Sequence, residues 1–257
     1  MSEPVLILEK ENGIATVTLN RAEKLNALNR ELRAEFCRTM RALRTASDVG
    51  VVIITGAGRA FCAGMDLKEL GGGLREEGNV TFVSVIEDMD APVIAAVNGF
   101  AITGGFELAL ACDIIIAADT AQFADTHARV GLMPAGGMSA RLPRAVGLRK
   151  AKELSLTGNY LSAHDAERMG LVNRVVPREQ VMSSAKELAG QILSCDQFVV
   201  RQMKRLYDLA SRVPLAAGLQ IEQDFSRAYG LSGHLQDMDA RRQAAMERGR
   251  AQSAAKR

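Results

Sequence analysis

Three short runs constrain the fold of this chain more than any other feature: Val-Val-Ile-Ile-Thr at 51–55, Val-Ile-Ala-Ala-Val at 93–97 and Asp-Ile-Ile-Ile-Ala at 113–117. Each is essentially apolar throughout rather than alternating, as suits a strand covered on both faces. Around them the period changes. Leu32, Phe36, Met40 and Leu43 recur at helical spacing from Asn29 onward, and further helices are expected at 79–90 and 104–111. Strands alternating with helices predict βαβ crossovers and a largely parallel sheet, an α/β fold. Ahead of this block, 5–8 and 14–19 are β-rich and joined through Glu11-Asn12-Gly13, and Asn-Gly between apolar runs signals a hairpin. Beyond about 145 the pattern is mostly helical: a short strand ends at Val175-Val176-Pro177, 179–194 is amphipathic, and 197–211, 215–230 and 236–250 read as helices. The change near 195 divides a core, 1–195, from a C-terminal helical region, 196–257. That region is too short for a substantial core of its own, so it is expected to rest on the main domain or on a neighbouring subunit.

Composition narrows the function classes. A chain of 257 residues buries enough surface to fold without metals or disulfides. Its 32 Lys+Arg against 30 Asp+Glu leave a net charge of only +2, without the basic excess expected of a nucleic-acid or anionic-membrane protein. The four cysteines (37, 62, 112 and 195) form no C-x-x-C pair, and there are three histidines. Neither a disulfide framework nor a locally built metal site is expected. The acidic start, Met1-Ser2-Glu3-Pro4, does not read as a signal peptide, and no apolar stretch has membrane-spanning length. A cytoplasmic protein is the expectation.

Two glycine-bearing turns invite chemistry. In Thr55-Gly56-Ala57-Gly58-Arg59-Ala60-Phe61-Cys62-Ala63-Gly64-Met65-Asp66 a strand runs into G-x-G, but Phe61 occupies the third glycine position of a dinucleotide fingerprint. In Asn98-Gly99-Phe100-Ala101-Ile102-Thr103-Gly104-Gly105-Phe106-Glu107 small residues open a helix just after an apolar strand. The first N–H groups of a helix lack intrahelical partners and favour negative charge. With a second N–H from the other loop they would form an oxyanion hole, whereas glycines that merely pack against a sheet would look the same in sequence. Glu107 sits one turn into this helix among Phe106, Leu108, Ala109 and Leu110. If buried, its carboxyl pKa rises toward the range of a general base; if it faces solvent, it is an ordinary helix glutamate.

Taken in order, these segments resemble the enoyl-CoA hydratase/isomerase (crotonase) superfamily. The resemblance includes Leu19-Asn20-Arg21, the loop 24–28, the turn 55–67, Pro92-Val93-Ile94-Ala95-Ala96-Val97-Asn98-Gly99 and the run 104–113. It continues through Arg141-Leu142-Pro143, Leu156-Thr157-Gly158 and 170–177, so it covers about 5–230. It implies a spiral of ββα turns with a C-terminal helical region that makes trimers, or dimers of trimers. The implied ligand is an acyl-CoA thioester, with no cofactor beyond its CoA moiety; the composition adds no metal, membrane or nucleic acid to the expected partners. The thioester carbonyl would be polarised by the N–H groups of Met65 and Gly104. CoA would run past Lys24, Leu25, Asn26 and Ala27 on one side and Ala63, Asp66 and Leu67 on the other, with Pro134 also in the substrate site. One of the two acid/base glutamates of the hydratases maps to Glu107.

The sequence then departs from the family pattern. The second glutamate belongs four positions after Phe123, where this chain has His127. The resemblance leaves four readings: His127 takes the acid role, Asp125 substitutes, Glu107 acts alone, or His127 is a space-filling spectator. His164 and His234 lie in polar surroundings and read as surface histidines. The family's Gly-Gly-Thr-Gln turn is replaced by Gly136-Gly137-Met138-Ser139, which adds bulk where the acyl chain is expected. The aromatic and Lys of the last helix, which contact the CoA adenine, are replaced by Arg241-Arg242-Gln243-Ala244. The last 17 residues hold six basic side chains and one acid; some relatives bind RNA, but with no aromatic between the charges the run reads as a solvated helix face or a contact for CoA phosphates.

Overall fold

The computed structural model describes residues 3–70, 82–232 and 238–254. One compact unit ends at Arg201 and a second begins at Gln202. The first unit opens with the hairpin β1 (Leu6–Glu11) and β2 (Ile14–Leu19). Glu11 pairs with Ile14, so Asn12 and Gly13 form a two-residue turn, and both have positive φ (50° and 80°). That is the primed turn whose twist matches the flanking strands.

Helix α1 (Arg30–Arg44) follows, capped by the Asn29 side chain accepting from Leu32 N–H at 2.9 Å. Its four periodic residues, Leu32, Phe36, Met40 and Leu43, are all buried.

The core is then built three times from the same motif. A long buried strand is followed within a few residues by a short strand of a second sheet, and then by a helix. The first repeat is β3 (Val51–Gly56), β4 (Ala60–Cys62) and α2 (Leu67–Leu70), with α3 (Ser84–Glu87) later in the chain. The second is β5 (Val93–Val97), β6 (Phe100–Ile102) and α4 (Gly104–Ala111). The third is β7 (Ile114–Ala118), β8 (Gln122–Ala124) and α5 (His127–Val130).

Helices α6 (Met138–Val146) and α7 (Leu148–Thr157), strand β9 (Leu161–Ser162), α8 (Ala163–Arg168), β10 (Arg174–Val176) and α9 (Val181–Leu193) complete the first unit up to α10 (Gln197–Ala210). The larger sheet has the order β1-β2-β3-β5-β7-β10, parallel from β2 onward. The smaller has the order β4-β6-β8-β9, parallel except for β9. This is the expected α/β spiral. Strands β3 and β5 are buried along their whole length, which is why they read as uninterrupted apolar runs.

The G-x-G after β3 leads into β4 rather than a helix, in keeping with the failed dinucleotide fingerprint. Of the helix expected at 79–90, residues 84–87 are helical, while 79–81 lie outside the described residues. His164 is exposed as expected, and His234 lies outside the described residues.

The division between the units falls inside α10, a few residues beyond the pattern change at 195. The second unit contains the remainder of α10, α11 (Leu215–Gly230) and α12 (Met238–Ala254). Residues 236 and 237, read as the start of the last helix, lie outside the described residues.

Candidate active site

The chain leaves β4 into a loop that lies alongside residues 25–28. Ala63 N–H donates to Leu25 O at 3.0 Å, Leu28 N–H to Gly64 O at 2.8 Å and Asp66 N–H to Leu28 O at 3.2 Å. Leu28 and Met65 face each other in an isolated parallel bridge. The two segments expected to flank CoA are therefore one joined surface. Arg21 fastens it: its guanidinium pairs with Asp66 at 3.1 Å and bonds to Ala27 O. Lys24 and Leu67 are exposed, Leu25, Ala27 and Ala63 half-buried. Asn26 is fully buried, and its side chain is committed to backbone: it donates to Ala57 O and Ala60 O and accepts from Arg21 N–H. The Asn26 N–H is also committed, donating to Arg21 O at 2.9 Å, and the Asp66 carboxylate is already paired.

Gly64 brings this loop against the start of α4. It has φ of +92°, and a Cβ there would lie 2.9 Å from Ile102 O and 3.3 Å from Gly104 N. A Cβ on Gly104 would in turn lie 3.6 Å from Met65 N. The two amides named from the sequence are thus neighbours in space. Neither N–H has an acceptor among the described residues, Gly104 because it opens a helix and Met65 because the bridge uses its neighbours' groups.

The turn into α4 is strained. Thr103 has φ 51° and ψ −107°, a conformation costly for a β-branched residue. It is held by its N–H to Ala124 O at 2.8 Å, by Thr126 N–H to its hydroxyl at 3.2 Å, and by a bond between the two threonine hydroxyls. The same contacts fasten α4 to the segment carrying Asp125 and His127. Phe106 and Phe123, with ring centroids 5.4 Å apart, add an apolar lock between α4 and β8.

Glu107 is 3% exposed. Its Oε1 accepts Gly136 N–H at 2.8 Å and Met138 N–H at 3.2 Å. Gly136 fits closely at that contact, since a Cβ there would meet Glu107 Oε2 at 2.6 Å. Arg141 braces this loop by donating to Gly136 O at 2.8 Å and pairing with Glu87. Burial pushes the Glu107 pKa up. The Met138 and Gly136 N–H groups and the His127 charge lower it, Asp125 raises it, and the net direction is upward.

His127, at the start of α5, is buried beside Asp125, with Nδ1 and Oδ1 2.6 Å apart. Burial disfavours its charged form, but the bond and charge of Asp125, and then Glu107, outweigh this and hold the pKa above the ordinary histidine value. Pro134 is half-buried in the loop between α5 and α6, and Met138 is buried, 1% exposed. Among the described residues, no group of three His, Cys, Asp or Glu side chains is arranged to hold a metal ion.

The sequence therefore located Met65, Gly104, Glu107 and His127, which the fold draws into one neighbourhood. It did not reveal the ring bond from His127 to Asp125, the Arg21 clasp or the Arg141 brace. The only local signal was the Asp-x-His spacing, which favours a side-chain-to-backbone turn.

Two adjacent unsatisfied amides, at a loop and a helix start, beside a buried carboxylate on a ββα spiral place the chain in the crotonase class of folds. Comparison with known proteins agrees. The enoyl-CoA hydratase/isomerase family profile matches residues 9–252. A crotonyl-CoA hydratase of Syntrophomonas wolfei is 39% identical over 239 residues, covering 90% of this chain and 91% of that protein. A short-chain-enoyl-CoA hydratase of Clostridium acetobutylicum is 39% identical over 233 residues, covering 88% of each. The crystal structure of an enoyl-CoA hydratase from Bacillus anthracis superposes with a TM-score of 0.85 at 37% identity, over 95% of this chain and 96% of that one. The chain belongs to the enoyl-CoA hydratase/isomerase family.

Proposed function

We propose that this protein is an enoyl-CoA hydratase, adding water across the double bond of a 2-enoyl-CoA thioester to give a 3-hydroxyacyl-CoA. The observation that carries this reading is the buried Glu107 carboxylate, one turn into the helix whose first N–H has no acceptor among the described residues, with the His127 charge acting on it. The thioester oxygen accepts from Met65 N–H and Gly104 N–H, and enolate charge develops against these fixed donors. One such donor contributes about 3 kcal/mol in a dry site. Glu107 takes a proton from water as its oxygen bonds to C3, and the enolate is then protonated at C2. His127, standing where hydratases carry their second glutamate, is the assigned donor. No cofactor beyond the CoA moiety enters these steps. CoA lies along 24–27 and 63–67 in this reading, with Pro134 lining the acyl end.

The assay is incubation with 2-enoyl-CoA thioesters of four to sixteen carbons, roughly the span of common acyl chains, with product identification. Hydrated product supports the reading; unreacted thioester across the panel refutes it and leaves acyl-CoA binding alone. A second reading, double-bond isomerisation by Glu107 acting alone, is favoured by the histidine at position 127 and is covered by the family description. Conversion of 3-enoyl- to 2-enoyl-CoA without hydration would select it.

We also assign the protein a trimer or a dimer of trimers, with 196–257 as the assembling region. Exposed apolar side chains in the second unit support this, among them Tyr207 (71%), Leu215 (79%) and Leu219 (51%). Sedimentation at micromolar concentration tests it. Among the described residues no helix is long and apolar enough to cross a membrane. None of the four cysteines is in a disulfide, which fits a reducing compartment, for which we propose the cytoplasm.

A further inference from the structure

The hydration mechanism gives Asp125 no task, yet this carboxylate is as deeply buried as Glu107, at 2% exposed against 3%. Its Oδ1 lies 2.6 Å from His127 Nδ1 and also accepts the His127 main-chain N–H at 3.2 Å. The Ser155 side chain, from α7, bonds to the same carboxylate. The main-chain bond closes a short side-chain-to-backbone turn, which fixes the direction of the carboxylate before the ring bond forms. Thr126, between the two residues, is itself tied to Thr103 at the start of the Glu107 helix. The imidazole is thus held at Nδ1, and its other nitrogen, Nε2, is left for proton exchange.

We propose that Asp125 is a positioning residue that fixes His127 through Nδ1, so that Nε2–H serves as the proton donor to C2 of the enoyl thioester. This rests on the hydration reading and deepens it: an aspartate–imidazole couple does the work that a second carboxylic acid does elsewhere in the family.

The proton balance closes. An O–H bond of water breaks to Glu107 as the C3–O bond forms and the C2=C3 electrons move into the enolate. The enolate then re-forms the thioester carbonyl as C2 takes the proton from Nε2. Glu107 is left protonated and His127 neutral, and transfer of that proton back to Nε2, directly or through solvent, restores the starting state with one water consumed.

The charged groups acting on the ring are Asp125 and, from α4, Glu107, while α7 contributes the neutral Ser155 hydroxyl. Both carboxylates favour the imidazolium, the form a proton donor needs. Asp125 itself is opposed by burial, but its bonds to His127 and Ser155 hold it below the usual carboxylate range, so it remains the charged partner.

The experiment combines kinetics with imidazole NMR on the full chain. Asp125→Asn should leave KM for crotonyl-CoA near the wild-type value and lower kcat about 100-fold, the lower end of what a positioned proton donor supplies. The alkaline limb of its kcat/KM profile should move to lower pH, because the imidazolium has lost its counter-charge. His127→Gln should lower kcat similarly, with the double variant little worse than either single one.

In the wild-type protein the His127 resonance, assigned by replacing His164 and His234, should titrate above the ordinary value of about 6.5. This reading needs neither turnover nor a stable core variant. Titration at or below that value overturns the proposal, and so does an active Asp125→Asn protein with unchanged kcat and unchanged pH profile. Absence of hydration by the wild-type protein, with the histidine titrating as expected, overturns the hydration reading instead and removes the donor role with it.

Discussion

Replacing Gly136 with alanine tests how closely the Glu107 carboxylate must be held. Gly136 N–H donates to Glu107 Oε1 at 2.8 Å, and a Cβ at that position would stand 2.6 Å from Oε2 and 2.7 Å from Cδ. Ordinary contact begins near 3.4 Å. The carboxyl or the loop must therefore retreat by about 0.8 Å, close to the 1 Å misplacement that costs about 100-fold in rate. That corresponds to about 2.7 kcal/mol of transition-state stabilisation. The obstacle is the far end of a flexible side chain and Met138 N–H remains as a second anchor, so the loss of stability should stay within about 1–2 kcal/mol. Hydration of crotonyl-CoA, followed as loss of enoyl absorbance, should fall about 100-fold in kcat/KM while the thermal midpoint moves by only a few degrees. A Gly136→Ala protein within about twofold of wild type would show that the working position of Glu107 does not depend on this cradle.

Other perturbations probe the surrounding structure. Asn26→Ala removes a buried side chain that satisfies Ala57 O, Ala60 O and Arg21 N–H, and should cost about 2–4 kcal/mol in urea unfolding. Asp66→Ala strips Arg21 of its carboxylate and loosens the joined loops, so KM for crotonyl-CoA should rise about tenfold with kcat much less affected. Burial pushes the Cys62 thiol up to about 12, so it should resist alkylation at pH 8 in the native protein and react on unfolding, as followed by mass spectrometry. The raised pKa of His127 contributes stability that is fully present below about pH 6.5 and is lost as pH rises through the folded value. The difference in thermal midpoint between wild type and His127→Gln should accordingly shrink on the alkaline side. The depressed Asp125 carboxyl acts in the opposite sense: its contribution is present above the ordinary aspartate value and is lost as pH falls through the folded one.

Legibility in the sequence followed the physics of each element. The strand 93–97 and the helix 104–111 match their expected bounds, because a fully buried parallel strand and a helix opened by glycine leave strong local patterns. The short strands of the second sheet, such as β4 and β6 with three residues each, carry no period of their own and escape local reading. They form because the residues after each long strand pair in parallel with their counterparts in a neighbouring repeat. In the site, Glu107 stood out as a lone carboxylate among apolar residues, and Gly104 as a helix start. The partners of Glu107 at Gly136 and Met138 are about 30 residues away and are main-chain groups, which no side-chain pattern advertises. Met138 was expected to add bulk along the acyl path; its side chain is buried in the core, and its N–H is what reaches Glu107. Asp125 and His127 were both visible, but only the three-dimensional turn joins them.

In the proposed reaction the Glu107 carboxylate hydrates a thioester held by Met65 N–H and Gly104 N–H. Its most direct test is the rate of 3-hydroxybutyryl-CoA formation from crotonyl-CoA by the wild-type and Glu107→Gln proteins, with product identity established by mass spectrometry. The amide keeps the shape of the side chain and removes the base, so hydrated product is expected from wild type and a loss of at least about 100-fold in kcat for Glu107→Gln. Formation of the product by Glu107→Gln at the wild-type rate would contradict it.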